Sequence, residues 1–242
     1  MLSETQGIVI QARKYGDTSL IAHIFTREFG MQGFLVKGVY RRKSAFSPSY
    51  FQHLNRLQLV MYYKSQRQLQ NLKELRVSPL FQQVPYQIEK TSMAMFLAEL
   101  LGKVLQDEEP NDPLFLFLEQ SIQALDDWEG SLSLFPLLFL IDLTRFMGFQ
   151  PHNNYSSVTS FFNLEEGCFQ AMQTNDEVVL PANESYYLAE LLPCGLSDPG
   201  EHAIPYAERL SLLDQMVDYF RLHTQHFTRL RSAQVLREVL QG

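Results

Sequence analysis

Cysteine is scarce in this chain of 242 residues. Cys168 and Cys194 are too few for a disulfide framework and fall short of the four nitrogen or sulfur ligands that a structural zinc needs. Long apolar runs are missing too. The most hydrophobic stretch, Leu132 to Leu143, is broken by Pro136 and Asp142 and is too short to span a bilayer, so no membrane partner is expected. No GxxxxGK[ST] loop and no GxGxxG turn occurs, which removes the phosphate cradles of ATP hydrolysis and dinucleotide binding. The opening Met1-Leu2-Ser3-Glu4 has no basic region followed by an apolar run. No signal peptide is therefore expected, and a reduced cytoplasm is the default location. What is present suits a globular protein of one large or two modest domains, with 45% hydrophobic and 19% charged residues.

The net charge of −7 argues against a polyanion as partner, but it averages two unlike regions. Residues 1–82 hold 12 Lys and Arg against 4 Asp and Glu, a net of +8; residues 83–242 hold 8 against 23, a net of −15. Such asymmetry is the footprint of a nucleic-acid-binding module joined to an acidic domain.

The hydrophobic period divides the chain at the same place. Runs at Gly7–Ala12, Ser19–Thr26, Gly33–Gly38, Leu57–Tyr63 and Leu69–Leu75, separated by polar or glycine turns such as Tyr15-Gly16-Asp17, read as five short strands. Five strands in this length predict a small closed barrel of the OB type, and an SH3-like barrel fits the same pattern. After Pro79 and Pro85 the period becomes helical. Helices are predicted at Ile88–Gln106, from Asp112 as N-cap with Pro113 at the first turn through Leu125, at Ser133–Met147 with Gly148 as stop, at Pro181–Leu192, at Tyr206–Thr228, and after a Ser232 cap. Residues 150–180 lose the helical period and read as an irregular or β insert. The fold class is thus α+β, with an N-terminal barrel (1–82) and a mainly α-helical domain (83–242).

The densest basic stretch, Lys37-Gly38-Val39-Tyr40-Arg41-Arg42-Lys43-Ser44, falls in the loop after the third strand. Cations on a barrel rim reach phosphates, and Gly38 allows close backbone approach. Tyr40, Phe46, Tyr50 and Phe51 interleave with the charges, the composition of a surface that stacks bases. Lys37, Tyr40, Arg41, Arg42 and Lys43, with Arg13, Lys14 and Arg56, are the candidate nucleic-acid-binding residues. In the acidic domain Arg221, Arg229, Arg231 and Arg237 gather around Phe227 and Leu230, either as a basic-rimmed apolar groove or as an ordinary amphipathic face. His223 and His226, one helical turn apart, lack a third metal ligand, and a core or surface pair is the simpler reading. His152 and Cys168 invite a nucleophile reading without an oxyanion hole beside them. Asp107-Glu108-Glu109 and Asp126-Asp127 read as solvated helix ends. No catalytic residue, cofactor or metal is assigned.

Several of these segments together resemble the RecO family. Gly7-Ile8-Val9-Ile10, Tyr15-Gly16-Asp17-Thr18 and Phe25-Thr26-Arg27-Glu28-Phe29-Gly30 are similar to the family's opening strand, turn and hairpin. Lys37, Gly38, Arg41, Lys43 and Ser44 match its basic Lys-Gly-x-Arg-Arg-x-Lys-Ser element, with departures at Tyr40, where a second cation is usual, and at Ala45. Leu143 to Pro151 and Phe162 to Phe169 resemble its later Gly-Tyr-x-Pro helix end and Phe-x-x-x-x-Gly insert. The resemblance implies an OB-fold, a helical remainder, binding of single- and double-stranded DNA, strand annealing and no enzymatic activity. It implies partnership with RecR, with the acidic tail of single-stranded-DNA-binding protein (SSB), and functionally with the RecA recombinase. Arg221, Phe227, Arg229, Leu230 and Arg231 are the residues expected to meet that tail. Many relatives hold zinc through paired CxxC motifs in the insert; here Asn154, Tyr155, Ser156 and Ser157 replace the first pair, so a zinc-less insert packed on Phe161, Phe162 and Phe169 is expected. An RNA-binding OB protein, or an adaptor whose basic face meets an acidic protein, is the alternative.

Overall fold

The computed structural model describes residues 1–105, 109–172 and 178–240; the expected solvated carboxylates Asp107 and Glu108 lie outside them. The chain forms two compact units, one of Met1–Asp127 with Leu230–Val239, the other comprising Trp128–Arg229. Seven strands occur among the described residues: β1 (Leu2–Tyr15), β2 (Ser19–Thr26), β3 (Gly30–Val36), β4 (Arg56–Tyr62), β5 (Leu69–Val77), β6 (Phe161–Asn163) and β7 (Cys168–Gln170). Six helices accompany them: α1 (Ile88–Val104), α2 (Asp112–Asp127), α3 (Phe135–Met147), α4 (Ala182–Leu191), α5 (Tyr206–His223) and α6 (Ser232–Leu240). None of the described helices is long and apolar enough to cross a membrane.

In the first unit the first five strands close into a barrel in the order β1-β2-β3-β5-β4. β1 spans 14 residues and pairs antiparallel with both β2 and β4. A bulge between Val9 and Gln11 lets it bend from one partner to the other. The closing seam is a short parallel pairing of Gly33 with Leu69 and Phe34 with Gln70. A Cβ on Gly33 would fall 2.8 Å from the Gln68 carbonyl, so only glycine admits this approach. Five strands closed this way are an OB barrel, which decides against the SH3-like alternative. Val9, Leu20, Ala22, Ile24, Phe34, Leu57, Leu59 and Met61 fill the interior.

The long β3–β4 connection overturns one expectation. A 3-10 turn at Pro48–Phe51 turns Phe51 into the barrel core, where it is 4% exposed, and Phe46 and Tyr50 pack against the same core. Phe51 thus belongs to the core, where full burial stabilises the fold by about 1.5–3 kcal/mol, while Phe46 and Tyr50 are half-buried against it.

Polar groups anchor the helices of this unit. Asn111, not Asp112, caps α2: its side chain accepts the Leu114 N–H at 3.1 Å, while Asp112 pairs with Arg27. Asp126, expected in solvent, is 1% exposed. Its carboxylate accepts the N–H groups of Gln82, Gln83 and Val84 at 2.7–2.9 Å, and the Lys90 ammonium, equally buried, donates to the Asp126 carbonyl. Glu99 of α1 accepts the Arg231 N–H and both the N–H and hydroxyl of Ser232. The first turn of α6 is therefore capped from another helix and not by Ser232 itself.

In the second unit α3 is buried continuously from Phe135 to Thr144, as expected of a helix apolar on most sides, and Gly148 ends it at φ 81°. β6 and β7 form a hairpin in which Phe162 meets Phe169 edge-on at 5.0 Å, with Tyr219 of α5 at 5.9 Å from Phe162. Asn154 fastens the preceding loop to this hairpin, donating to the Phe169 carbonyl and accepting its N–H. α5 stops at His223, short of the expected Thr228, because Thr224 is extended and His226 sits at φ 59°. His223 and His226 are consequently not neighbours on a helix, and His223 instead approaches the Leu164 carbonyl at 2.8 Å.

Candidate nucleic-acid interface

An OB barrel presents its β2–β3 face together with the β1–β2 and β4–β5 loops. Arg13, Lys14 and Tyr15 end β1, and all three are exposed. Across the strands Arg13 stands opposite Ile21, and Ile21 opposite Leu35, so Arg13 and Lys37 belong to one outward face. His23 lies on that face, and burial together with the charge of Arg13 pushes its imidazole pKa down.

The basic loop is fixed where it leaves β3. The Tyr40 N–H donates to the Thr18 carbonyl at 3.1 Å, binding it to the β1–β2 turn, and the Arg41 N–H donates to the Gly38 carbonyl at 3.0 Å. Gly38 holds φ 73°, a left-handed turn that favours glycine. Lys37, Gly38 and Arg41 line a recess of about 340 Å³ with Tyr15, Thr18, Ser19 and Leu35. Arg42 and Lys43 follow, both exposed. Among the described residues no carboxylate lies within ion-pairing distance of Arg13, Lys14, Lys37, Arg41, Arg42 or Lys43. Six unneutralised cations at one end of a barrel attract phosphates without sequence preference.

Arg56 does not join them. It is 5% exposed, donates to Gln123 of α2 at 2.8 Å and lies 5.7 Å from the Phe81 ring. Burial lowers its pKa against the opposing charges of Glu119, Asp126 and Asp127. Conversely, the β4–β5 turn adds exposed Lys64 and Arg67, which sequence reasoning passed over. Buried Gln70 shapes that turn, donating to the Lys64 and Arg67 carbonyls and accepting the Lys64 N–H.

The residues expected to meet a partner's tail are divided between the units: Arg221, Phe227 and Arg229 belong to the second, Leu230 and Arg231 to the first. Arg221 pairs with Asp218 at 2.9 Å, and Leu230 is buried. Arg231 lines a recess of about 540 Å³ in the first unit with Met95, Ala98, Gly102, Lys103 and Val235. His152 and Cys168 meet through an isolated β-bridge. Cys194 lies 3.2 Å from His202, and burial, aided by Asp198 and Glu190, pushes its thiol pKa up, opposite to the shift that activates a nucleophile.

Two family models cover most of the chain: "Recombination protein O N terminal" over residues 1–81 and "Recombination protein O C terminal" over residues 85–232. A protein of Phocaeicola vulgatus named DNA repair protein RecO is 36% identical over 99% of both chains. Proteins of the same name from Christiangramia forsetii and Flavobacterium johnsoniae are 35% and 31% identical, again over 99% of both chains.

Proposed function

The chain belongs to the RecO family of DNA repair proteins, and from that premise we propose that it is a recombination mediator that binds single- and double-stranded DNA through its barrel. It works by binding free energy alone, annealing complementary strands and assisting a recombinase onto SSB-coated DNA. The supporting observation is the set of exposed cations at the loop end of the barrel that have no carboxylate partner among the described residues. Neutralising phosphates on two strands at once removes the repulsion that keeps complementary strands apart. Its partners in this reading are RecR, the SSB tail and, functionally, RecA, with Arg221, Phe227, Arg229, Leu230 and Arg231 as the residues that meet the tail. The test is annealing of fluorescently labelled complementary strands, bare and coated with SSB. Acceleration in both cases that fades with added salt is expected; no acceleration on bare strands would end the proposal.

A further inference from the structure

The cations explain attraction to phosphate but leave two rings unaccounted for. Tyr15 and Tyr40 are 57% and 45% exposed, beside a core that takes in Phe46, Tyr50 and Phe51 from the same connection as Tyr40. Both are held in place. Tyr15 closes β1 opposite Ser19, and the Tyr40 backbone is tied to Thr18 of the same turn. The Lys14 ammonium lies 5.7 Å from the centre of the Tyr40 ring. Successive strand residues point to opposite faces, so Lys14 with Tyr40 stands on one side of the turn and Tyr15 on the other. On that second side Tyr15 lines the recess that holds Lys37 and Arg41.

We propose that Tyr15 and Tyr40 are base-stacking platforms, so that this end of the barrel selects unpaired nucleotides. The rings take the faces of bases while Lys37 and Arg41 hold the intervening phosphates. The inference rests on the DNA-binding reading above and adds a strand preference that cations cannot supply. Phosphates are presented by single strands and duplexes alike, whereas the face of a base is free only in a single strand.

Fluorescence anisotropy on the full chain tests it, with labelled oligothymidine, a duplex of equal length and an abasic strand. Tyr15→Leu and Tyr40→Leu should each weaken oligothymidine binding about tenfold, the double variant about a hundredfold, and duplex binding should change by less than about twofold. Tyr15→Phe and Tyr40→Phe should bind as the wild type does, since the ring and not the hydroxyl stacks. The wild type should hold the abasic strand about as weakly as the double Leu variant holds oligothymidine. Equal losses on strand and duplex, or no loss on the strand, would overturn the stacking role while leaving DNA binding intact. A wild-type protein that binds none of the three would overturn both.

Discussion

At the loop end of the barrel, Lys37, Arg41, Arg42 and Lys43 are exposed, with no carboxylate of the described residues in ion-pairing reach; around the start of α1, Asp126 and Lys90 are buried and surrounded by hydrogen-bond partners. Both sets belong to the first unit and are made of ordinary charged residues. What separates them is how much of their charge folding has already neutralised. A buried carboxylate with three N–H donors is committed to the native state, and removing it leaves those donors unpaired. An exposed cation without a partner contributes little to folding and keeps its full attraction for a ligand. Charge density in a sequence therefore marks a binding site only where the structure leaves it unopposed.

The contrast is tested most severely at Asp126. Asp126→Ala should lower the unfolding free energy by about 3–5 kcal/mol in urea denaturation, while the folded fraction binds DNA as before. A loss under about 1 kcal/mol would mean that Asp126 is no anchor. The same residue sets a pH dependence. Burial alone would raise its pKa, but the N–H groups of Gln82, Val84 and Gln83 and the Lys90 charge hold it below the ordinary value. A depressed carboxylate contributes fully above its unfolded pKa of about 4 and loses that contribution as pH falls through the folded value. Wild-type stability should thus fall in acid with a component that Asp126→Ala lacks.

The basic loop should behave in the opposite way. Changing Arg41, Arg42 and Lys43 together to Ala should reduce the slope of log K against log salt by roughly 2–3 units and leave the thermal midpoint where it was. An unchanged slope would put the DNA surface elsewhere. Glu99 gives the finest gradation, being half-buried. Burial raises its pKa, yet the Ser232 hydroxyl and the Ser232 and Arg231 N–H groups bring it below normal. Glu99→Gln keeps one acceptor and loses the charge at the α6 N-terminus, so a loss of about 1 kcal/mol is expected by denaturation.

The barrel and the helical period were legible because a one-residue shift in either pattern exposes a whole apolar face, as with Leu57, Leu59 and Met61 on β4. The basic loop was legible from Lys37 to Lys43 because exposed cations need no distant partner. Features decided by distant partners were not. Asp126 looks like any helix-end carboxylate until the Gln82–Val84 backbone, some forty residues away, turns its N–H groups toward it. Arg56 reads as another cation of the barrel until α2 covers it with Gln123. Phe46, Tyr50 and Phe51 follow the basic run closely in sequence, but barrel closure decides that they pack on the core. Lys64 and Arg67 were visible as cations in a polar turn, a signal that gains meaning only once β5 pairs with both β3 and β4.

The position of α6 bears on how the protein is made. The first unit is completed by residues 230–239, made only after residues 128–229 of the second have been synthesised. At about 5–20 residues per second, roughly 5–20 s pass between synthesis of Asp127 and the arrival of Ser232 at Glu99. During that interval Ala98, Gly102 and the rest of the α1 surface that α6 faces lie bare on the nascent chain. A stall or truncation late in translation would release a barrel with its α1 cover missing, a species that chaperones and proteases would meet before any DNA did.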